Sequence, residues 1–301
     1  TPELLQQAID GAVAAQHSWE RWSFADRAAV FLRAADLLAG PWRHRINAAT
    51  LLGQGKTPHQ AEIDAACELA DFWRFNVHYA EQLLHEQPIS VPGVWNRLDW
   101  RPLEGFIYAI TPFNFTAIGG NLPTAPAILG NVVLWKPSAT ASLSNWLIYD
   151  LLREAGLPPG VIQFIPGDSA STTRTLLDSK HLAGVHFTGS TPVFQSIWKD
   201  VAERLPTYRG YPRLVGETGG KDFIVAHPSA DAQEVAVAMV RGAFEYQGQK
   251  CSAASRVYVP KSLWPQVRDR AVAMMSEIKM GDTRDFRYFM GLRFVDVAGT
   301  T

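Results

Sequence analysis

The sequence predicts an α/β fold organised around a parallel sheet, and three observations carry that prediction. From Phe106 onward, short apolar runs alternate with helix-length segments, the pattern of βαβ units. The runs are apolar throughout, as strands are when helices cover both faces of their sheet. Polar or glycine-containing turns follow the runs, at the ends where such sheets bind ligands. A chain of 301 residues is long enough for about two domains.

The first 85 residues read as helices. Ala25 to Leu38 is rich in alanine and leucine at helical spacing, and Gly40-Pro41 ends it. Thr57-Pro58 is a capping residue followed by proline at the first helical position. The helix it opens sets Ile63, Cys67, Ala70 and Trp73 on one apolar stripe. Leu98 to Arg101 reads as a strand. Four more strands are expected at Phe106 to Ile110, Asn131 to Trp135, Val161 to Ile165 and Gly184 to Phe187. Helices are expected at Ser142 to Ala155 and Thr191 to Glu203. Phe223 to Val225, a helix from Asp231 to Phe244, and Arg256 to Val259 make a second strand–helix set. The ends of the first set carry Asn114, Lys136-Pro137-Ser138 and Thr188-Gly189-Ser190.

Composition narrows the function classes. Lysine and arginine total 28 against 29 aspartates and glutamates, so nucleic acid is not expected as the main partner. No apolar run reaches the ~18 residues of a membrane span. Thr1-Pro2-Glu3-Leu4 lacks the basic start of a secretory signal, and without an initial methionine an upstream segment is expected to be missing. Two cysteines, Cys67 and Cys251, cannot form a disulfide framework and suit a reducing compartment. No zinc spacing is present, and His78 and His85 read as surface histidines, not ligands.

Chemistry concentrates in two segments. In Tyr246-Gln-Gly-Gln-Lys-Cys251-Ser252 a cysteine sits in a polar loop beside Lys250, and nearby positive charge favours the reactive thiolate. By spacing alone, catalytic and structural roles for Cys251 are both open. Cys67, on its apolar stripe, reads as core packing. In Leu214-Val-Gly-Glu217-Thr-Gly-Gly-Lys221 glycines surround a carboxylate. A phosphate-binding P-loop would need glycine at position 215 and Ser or Thr at 222, where the chain has Val215 and Asp222. Phe187 to Phe194 also lacks the glycine pattern of ordinary dinucleotide folds, so taken alone these glycines are turn residues.

In combination the segments resemble the aldehyde dehydrogenase superfamily. Thr111-Pro-Phe113-Asn114-Phe115 is similar to its Pro-aromatic-Asn-Phe motif, Lys136-Pro137-Ser138 to its ribose-binding motif, and Phe187-Thr-Gly-Ser-Thr191 to its phosphate turn. Glu217-Thr-Gly-Gly-Lys221 is similar to its Glu-x-Gly-Gly-Lys motif and Gly248-Gln-Lys-Cys251 to its nucleophile motif. All stand in family order, with Glu217 34 residues before Cys251. Ala65 to Asn76, Thr111 to Leu122, Gly189 to Lys199 and Ala243 to Ser255 resemble the branch acting on pyrroline-5-carboxylate, the cyclised form of glutamate semialdehyde. The resemblance covers Thr1 to about Gly291; Leu292 to Thr301 does not look like family sequence. The family's later cofactor-binding glutamate, C-terminal substrate loop and oligomerisation strand have no counterpart in the chain.

The resemblance implies a Rossmann-type parallel NAD(P)-binding domain over residues 1–216, including the N-terminal helices, and an incomplete α/β catalytic domain over 217–301. It implies oxidation of L-glutamate 5-semialdehyde to L-glutamate through a thioester on Cys251. Asn114 would hold the oxyanion and Glu217 would activate water. Lys136, Ser138, Thr188, Gly189, Ser190 and Phe113 would contact NAD. Ala139 stands where many NAD-preferring relatives carry a ribose-gripping glutamate, so NADP stays open. Lys250 and Ser252 would line the aldehyde tunnel. Glu68 would reach the substrate or stand as a solvated helix residue. No metal is implied. A longer form is expected to be a homo-oligomer, cytoplasmic or, in a eukaryote, in the mitochondrial matrix. A dehydrogenase for another aldehyde, such as succinate semialdehyde, and an inactive fragment are the alternatives.

Overall fold

The computed structural model describes residues 1–291; the atypical stretch 292–301 lies outside them. Three N-terminal helices, α1 (Pro2–Trp19), α2 (Phe24–Ala39) and α3 (Arg43–Gln54), precede a short α4 (Pro58–Ala61). Thr57 caps α4, as expected, and the structure adds a reciprocal capping box with Gln60. The chain continues through a π-helical turn, Glu62–Cys67, into α5 (Glu68–His85).

That turn corrects the expected stripe. A π-helix advances less per residue than an α-helix, so the 3.6-residue count drifts across it. Ala70 and Trp73 are buried, but Ile63 stays 45% exposed and Cys67 is exposed. Asp64, Ala65 and Ala66 face inward instead. Cys67 is therefore not core packing.

The βαβ reading holds. β1 (Phe106–Ile110), α6 (Thr116–Ile128), β2 (Val132–Lys136), α7 (Ser142–Ala155), β3 (Ile162–Phe164), α8 (Ser169–Leu177), β4 (Leu182–Thr188), α9 (Thr191–Glu203) and β5 (Arg213–Glu217) follow in order. The five strands form one parallel sheet in the order β3-β2-β1-β4-β5. Along β1, Ile107 and Ala109 enter a core shared with α2, α5, α6 and α7. Phe106 and Tyr108 enter the opposite core, with α1, α8 and α9. Helices thus cover both faces of β1 to β4, which is why those strands read as continuously apolar, whereas β5 at the sheet edge is largely exposed.

Two expectations fail. Leu98 to Arg101 forms no strand; Leu98 and Trp100 are exposed, and the Leu98 N–H donates to the Gln87 side chain instead of a ladder. A β-propensity run without a neighbouring edge does not become a strand. Conversely, Arg213–Glu217, read as glycine-rich turn, is the fifth strand. Gly216 is needed there because a Cβ would run into the Phe194 ring.

Beyond the sheet, β6 (Asp222–Val225) and β7 (Ala254–Tyr258) pair in parallel across α10 (Ala232–Phe244), and α11 (Trp264–Glu277) packs on α10. Among the described residues no helix is long and apolar enough to cross a membrane.

Candidate active site

The parallel register brings four of the predicted segments to one edge. Ile110 lies opposite Lys136 and Phe187, and Thr188 lies opposite Glu217. The Pro112–Asn114 turn, Lys136, the Thr188–Ser190 turn and Glu217 therefore all sit at the carboxyl ends of the strands. Strand order reverses between β1 and β4, and ligands of such sheets bind at that switch point.

On the β2 side, Lys136 is buried and its Nζ donates to the Pro137 carbonyl at 2.8 Å. Burial pulls its pKa below the ordinary lysine value, partly offset by Asp168. Ser138 follows, half-buried. On the β4 side Thr188 is buried. The Gly189 N–H donates to the Glu217 carbonyl at 3.2 Å, and a Cβ on Gly189 would meet the Phe187 ring at 2.6 Å. Ser190 caps α9 with no side-chain hydrogen bond to the helix, leaving the hydroxyl free among the described residues. The first N–H groups of a helix such as α9 suit phosphate oxygens.

The Cys251 loop is anchored from two directions. Tyr246 and Gln247 both take left-handed backbone, φ 53° and 54°, a conformation held only where surroundings over-determine it. Buried Tyr246 donates its hydroxyl to the Gln54 carbonyl at 2.9 Å, and Gln247 donates to the Gly291 carbonyl. Asn114 Nδ2 donates to the Gln249 carbonyl at 2.9 Å, which leaves its second amide hydrogen available. A Cβ on Gly220 would lie 2.6 Å from the Cys251 carbonyl oxygen, so the glycines after Glu217 let that segment run against the Cys251 backbone. Half-buried Phe113 precedes Asn114.

Burial first, then the Glu217 carboxylate, push the Cys251 thiol above its ordinary pKa. The expected help from Lys250 is not seen. Its ammonium is engaged by Glu245 at 3.4 Å and Asp64 at 3.7 Å. Two carboxylates hold that charge, so sequence adjacency to Cys251 does not make it the thiolate's partner.

Glu68, Lys250 and Ser252 line one cleft of about 510 Å³, together with Asp64, Cys67 and Phe115. Burial, then Asp64, raise the Glu68 carboxyl to about 7, and its Oε2 is buried without a hydrogen-bond partner among the described residues. His78 and His85 hydrogen-bond locally, with Gln82 and the Glu81 carbonyl.

The sequence reading missed Lys56 and Asp64. Both are buried, and their side chains pair at 2.7 Å. A lysine between a glycine and a threonine, eight residues before an aspartate, carries no local signal. Only the inward turn of the π-helix brings them together.

A thiol, an amide donor and a carboxylate gathered beside the switch point of a parallel sheet define a class. The chain belongs to the aldehyde dehydrogenase family, whose model matches residues 1–292. It is 56% identical over 287 residues to the mitochondrial delta-1-pyrroline-5-carboxylate dehydrogenase of Mus musculus, covering 95% of this chain and 51% of that protein. It is 53% identical over 293 residues to the delta-1-pyrroline-5-carboxylate dehydrogenase of Agaricus bisporus, covering 97% and 54%. The crystal structure of the delta-pyrroline-5-carboxylate dehydrogenase from Mycobacterium tuberculosis bound with NAD superposes with a TM-score of 0.96 at 54% identity, covering 99% of this chain and 56% of that one. The chain spans about half the length of the curated relatives it matches.

Proposed function

We propose that the protein oxidises L-glutamate 5-semialdehyde, formed from 1-pyrroline-5-carboxylate, to L-glutamate with NAD in proline degradation. The observation that carries this is the convergence on the Cys251 loop: Asn114 bonded to Gln249, Gly220 against the Cys251 carbonyl, and the Glu217 charge acting on the thiol. The similarity to pyrroline-5-carboxylate dehydrogenases supports the substrate.

Residues 1–216 are assigned to cofactor binding and 217–301 to part of a catalytic domain. Lys136 and Ser138 would meet the adenosine ribose, and Thr188, Gly189 and Ser190 the pyrophosphate. Phe113 would border the nicotinamide. The buried lysine and the free Ser190 hydroxyl at the start of α9 fit such a group. When bound, NAD supplies the hydride acceptor. NADP is the alternative that Ala139 leaves open.

Cys251 gives its proton to solvent water and attacks the aldehyde carbon as thiolate, forming a C–S bond. Asn114 donates its free amide hydrogen to the resulting oxyanion. Loss of hydride restores the carbonyl as a thioester. Glu217 takes a proton from water, which attacks the thioester, breaks the C–S bond and returns the thiol. Glu68, Lys250 and Ser252 would orient the substrate's amino and carboxylate groups in the cleft. The partner is a small aldehyde, and a longer form would assemble as a homo-oligomer. The cytoplasm is the proposed location, or the mitochondrial matrix in a eukaryote.

The test is formation of reduced cofactor with glutamate semialdehyde and succinate semialdehyde in parallel. A higher kcat/KM for the first is expected. A folded protein that binds NAD yet reduces it with neither aldehyde would overturn the reading, and preference for succinate semialdehyde would replace the substrate.

A further inference from the structure

Behind the cleft, Lys56 occupies an unusual position. Its side chain is fully buried and its Nζ lies 2.7 Å from Asp64 Oδ2. The same ammonium sits 4.1 Å from the ring centre of Phe115 and 4.6 Å from that of Tyr246, both within range of cation–π attraction. Phe115 directly follows the amide donor Asn114 and caps α6. Tyr246 begins the left-handed turn that leads into Cys251. Asp64 Oδ2 also reaches Lys250 Nζ, beside Cys251, at 3.7 Å. One buried ion pair thus touches the two loops that carry opposite sides of the reacting centre.

We propose that Lys56, held by Asp64 and gripped between the Phe115 and Tyr246 rings, is a positioning residue that sets the Asn114 turn and the Cys251 loop at a fixed distance from each other. The inference rests on the roles proposed for Asn114 and Cys251. A hydrophobic residue at position 56 could fill the space. It could not attract two ring faces and a carboxylate from three different segments at once. The π-helical turn is part of the device, because it is what aims Asp64 inward, and such turns recur at functional sites. A buried pair of this kind adds little to stability compared with an apolar replacement, which leaves positioning as the reason for its form.

The test compares the parent chain with the double variant Lys56→Met/Asp64→Asn, which leaves no unpaired buried charge. Hydrogen exchange is followed in the segments 111–116 and 245–252, alongside the rate at which iodoacetamide alkylates Cys251; neither readout needs an aldehyde. The double variant is expected to keep a cooperative melt while exchange in both segments rises together by about tenfold, the scale of one lost coupling of this size. The alkylation rate should change with it. In turnover assays kcat should fall about tenfold while KM for NAD stays within about twofold, since a group acting only on the reacting geometry leaves cofactor binding alone. Trp73→Phe, a buried change away from both loops, should lower the melting temperature without that split. If the double variant does not fold, Phe115→Leu removes one ring and should loosen both segments. Unchanged protection in both loops, loosening of only one, or equal changes in kcat and KM would overturn the proposal. Absence of turnover in the parent chain would instead count against the proposed reaction, with the loop coupling still read by exchange and alkylation.

Discussion

Two cysteines separate cleanly at the scale of single residues. Cys251 lies half-buried between the Glu217 segment and the Asn114 turn, whereas Cys67 sits exposed at the cleft rim. Cys251→Ala is expected to lower aldehyde oxidation on the order of 10³-fold or more, as loss of a nucleophile does, while Cys67→Ala keeps most of its rate. The reverse pattern in steady-state assays would exchange the assignments. Glu217→Gln should still release a first burst of reduced cofactor in rapid mixing, followed by slow turnovers, because hydrolysis and not attack needs the base; a folded variant without the burst would contradict that division. Glu68 makes a prediction with a sign. Its carboxyl is raised from 4.5 to about 7, so between those values the folded chain binds more protons than the unfolded one. The stability carried by the protonated form is complete below the unfolded value and is lost as pH rises through about 7. Glu68→Gln should flatten that fall in a series of melting temperatures across the window, and an unchanged slope would show that Glu68 does not titrate there.

Among the elements, β5 and α9 depend on two glycines whose reason is steric. Phe187 and Phe194 stack at 5.4 Å between ring centres. Gly189 faces the first ring and Gly216 the second. Gly216→Ala should therefore destabilise by ~1–3 kcal/mol, the usual cost of overpacking, and Phe194→Leu in the same chain should recover part of it. Thermal melts of the single and double variants decide this, and additive losses would argue against a direct clash. The same elements show where local reading succeeds and stops. Ser142–Ala155 and Thr191–Glu203 were legible to the residue because their ends carry serine, proline and glycine signals. The π-helical turn was not, since a count of 3.6 residues cannot detect one inserted residue. β5 was not legible either, because its one glycine, Gly216, answers to the Phe194 ring contributed by α9.

For the whole molecule, β1 to β4 are covered on both faces, but the exposed edge strand β5 and the β6–β7 pair are not. Phe223, Val225 and Tyr258 are 65%, 67% and 53% exposed. A parallel pair normally has both faces covered, and exposed apolar surface of this kind promotes association. The 301-residue chain is accordingly expected to associate as its concentration rises. Light scattering tests this. A chain that stays monodisperse would show that the β6–β7 face needs no cover.

Sequence alone was enough to place β1 to β4, the helix-length segments between them, the parallel sheet and the identity of the five motifs, because each of these is written in local periodicity or in adjacent residues. It also determined which side chains stand at the carboxyl ends of the strands, since a parallel sheet sends all those ends the same way. Tertiary structure alone decided the rest. It turned Asp64 inward and Cys67 outward, gave Lys250 to Glu245 and Asp64 in place of the thiol, and joined Lys56 to Phe115 and Tyr246. The physical reason is range. Periodicity and capping act over a few residues, whereas a buried charge is settled by whichever partners the packed fold brings within about 4 Å, however far apart they lie in the chain.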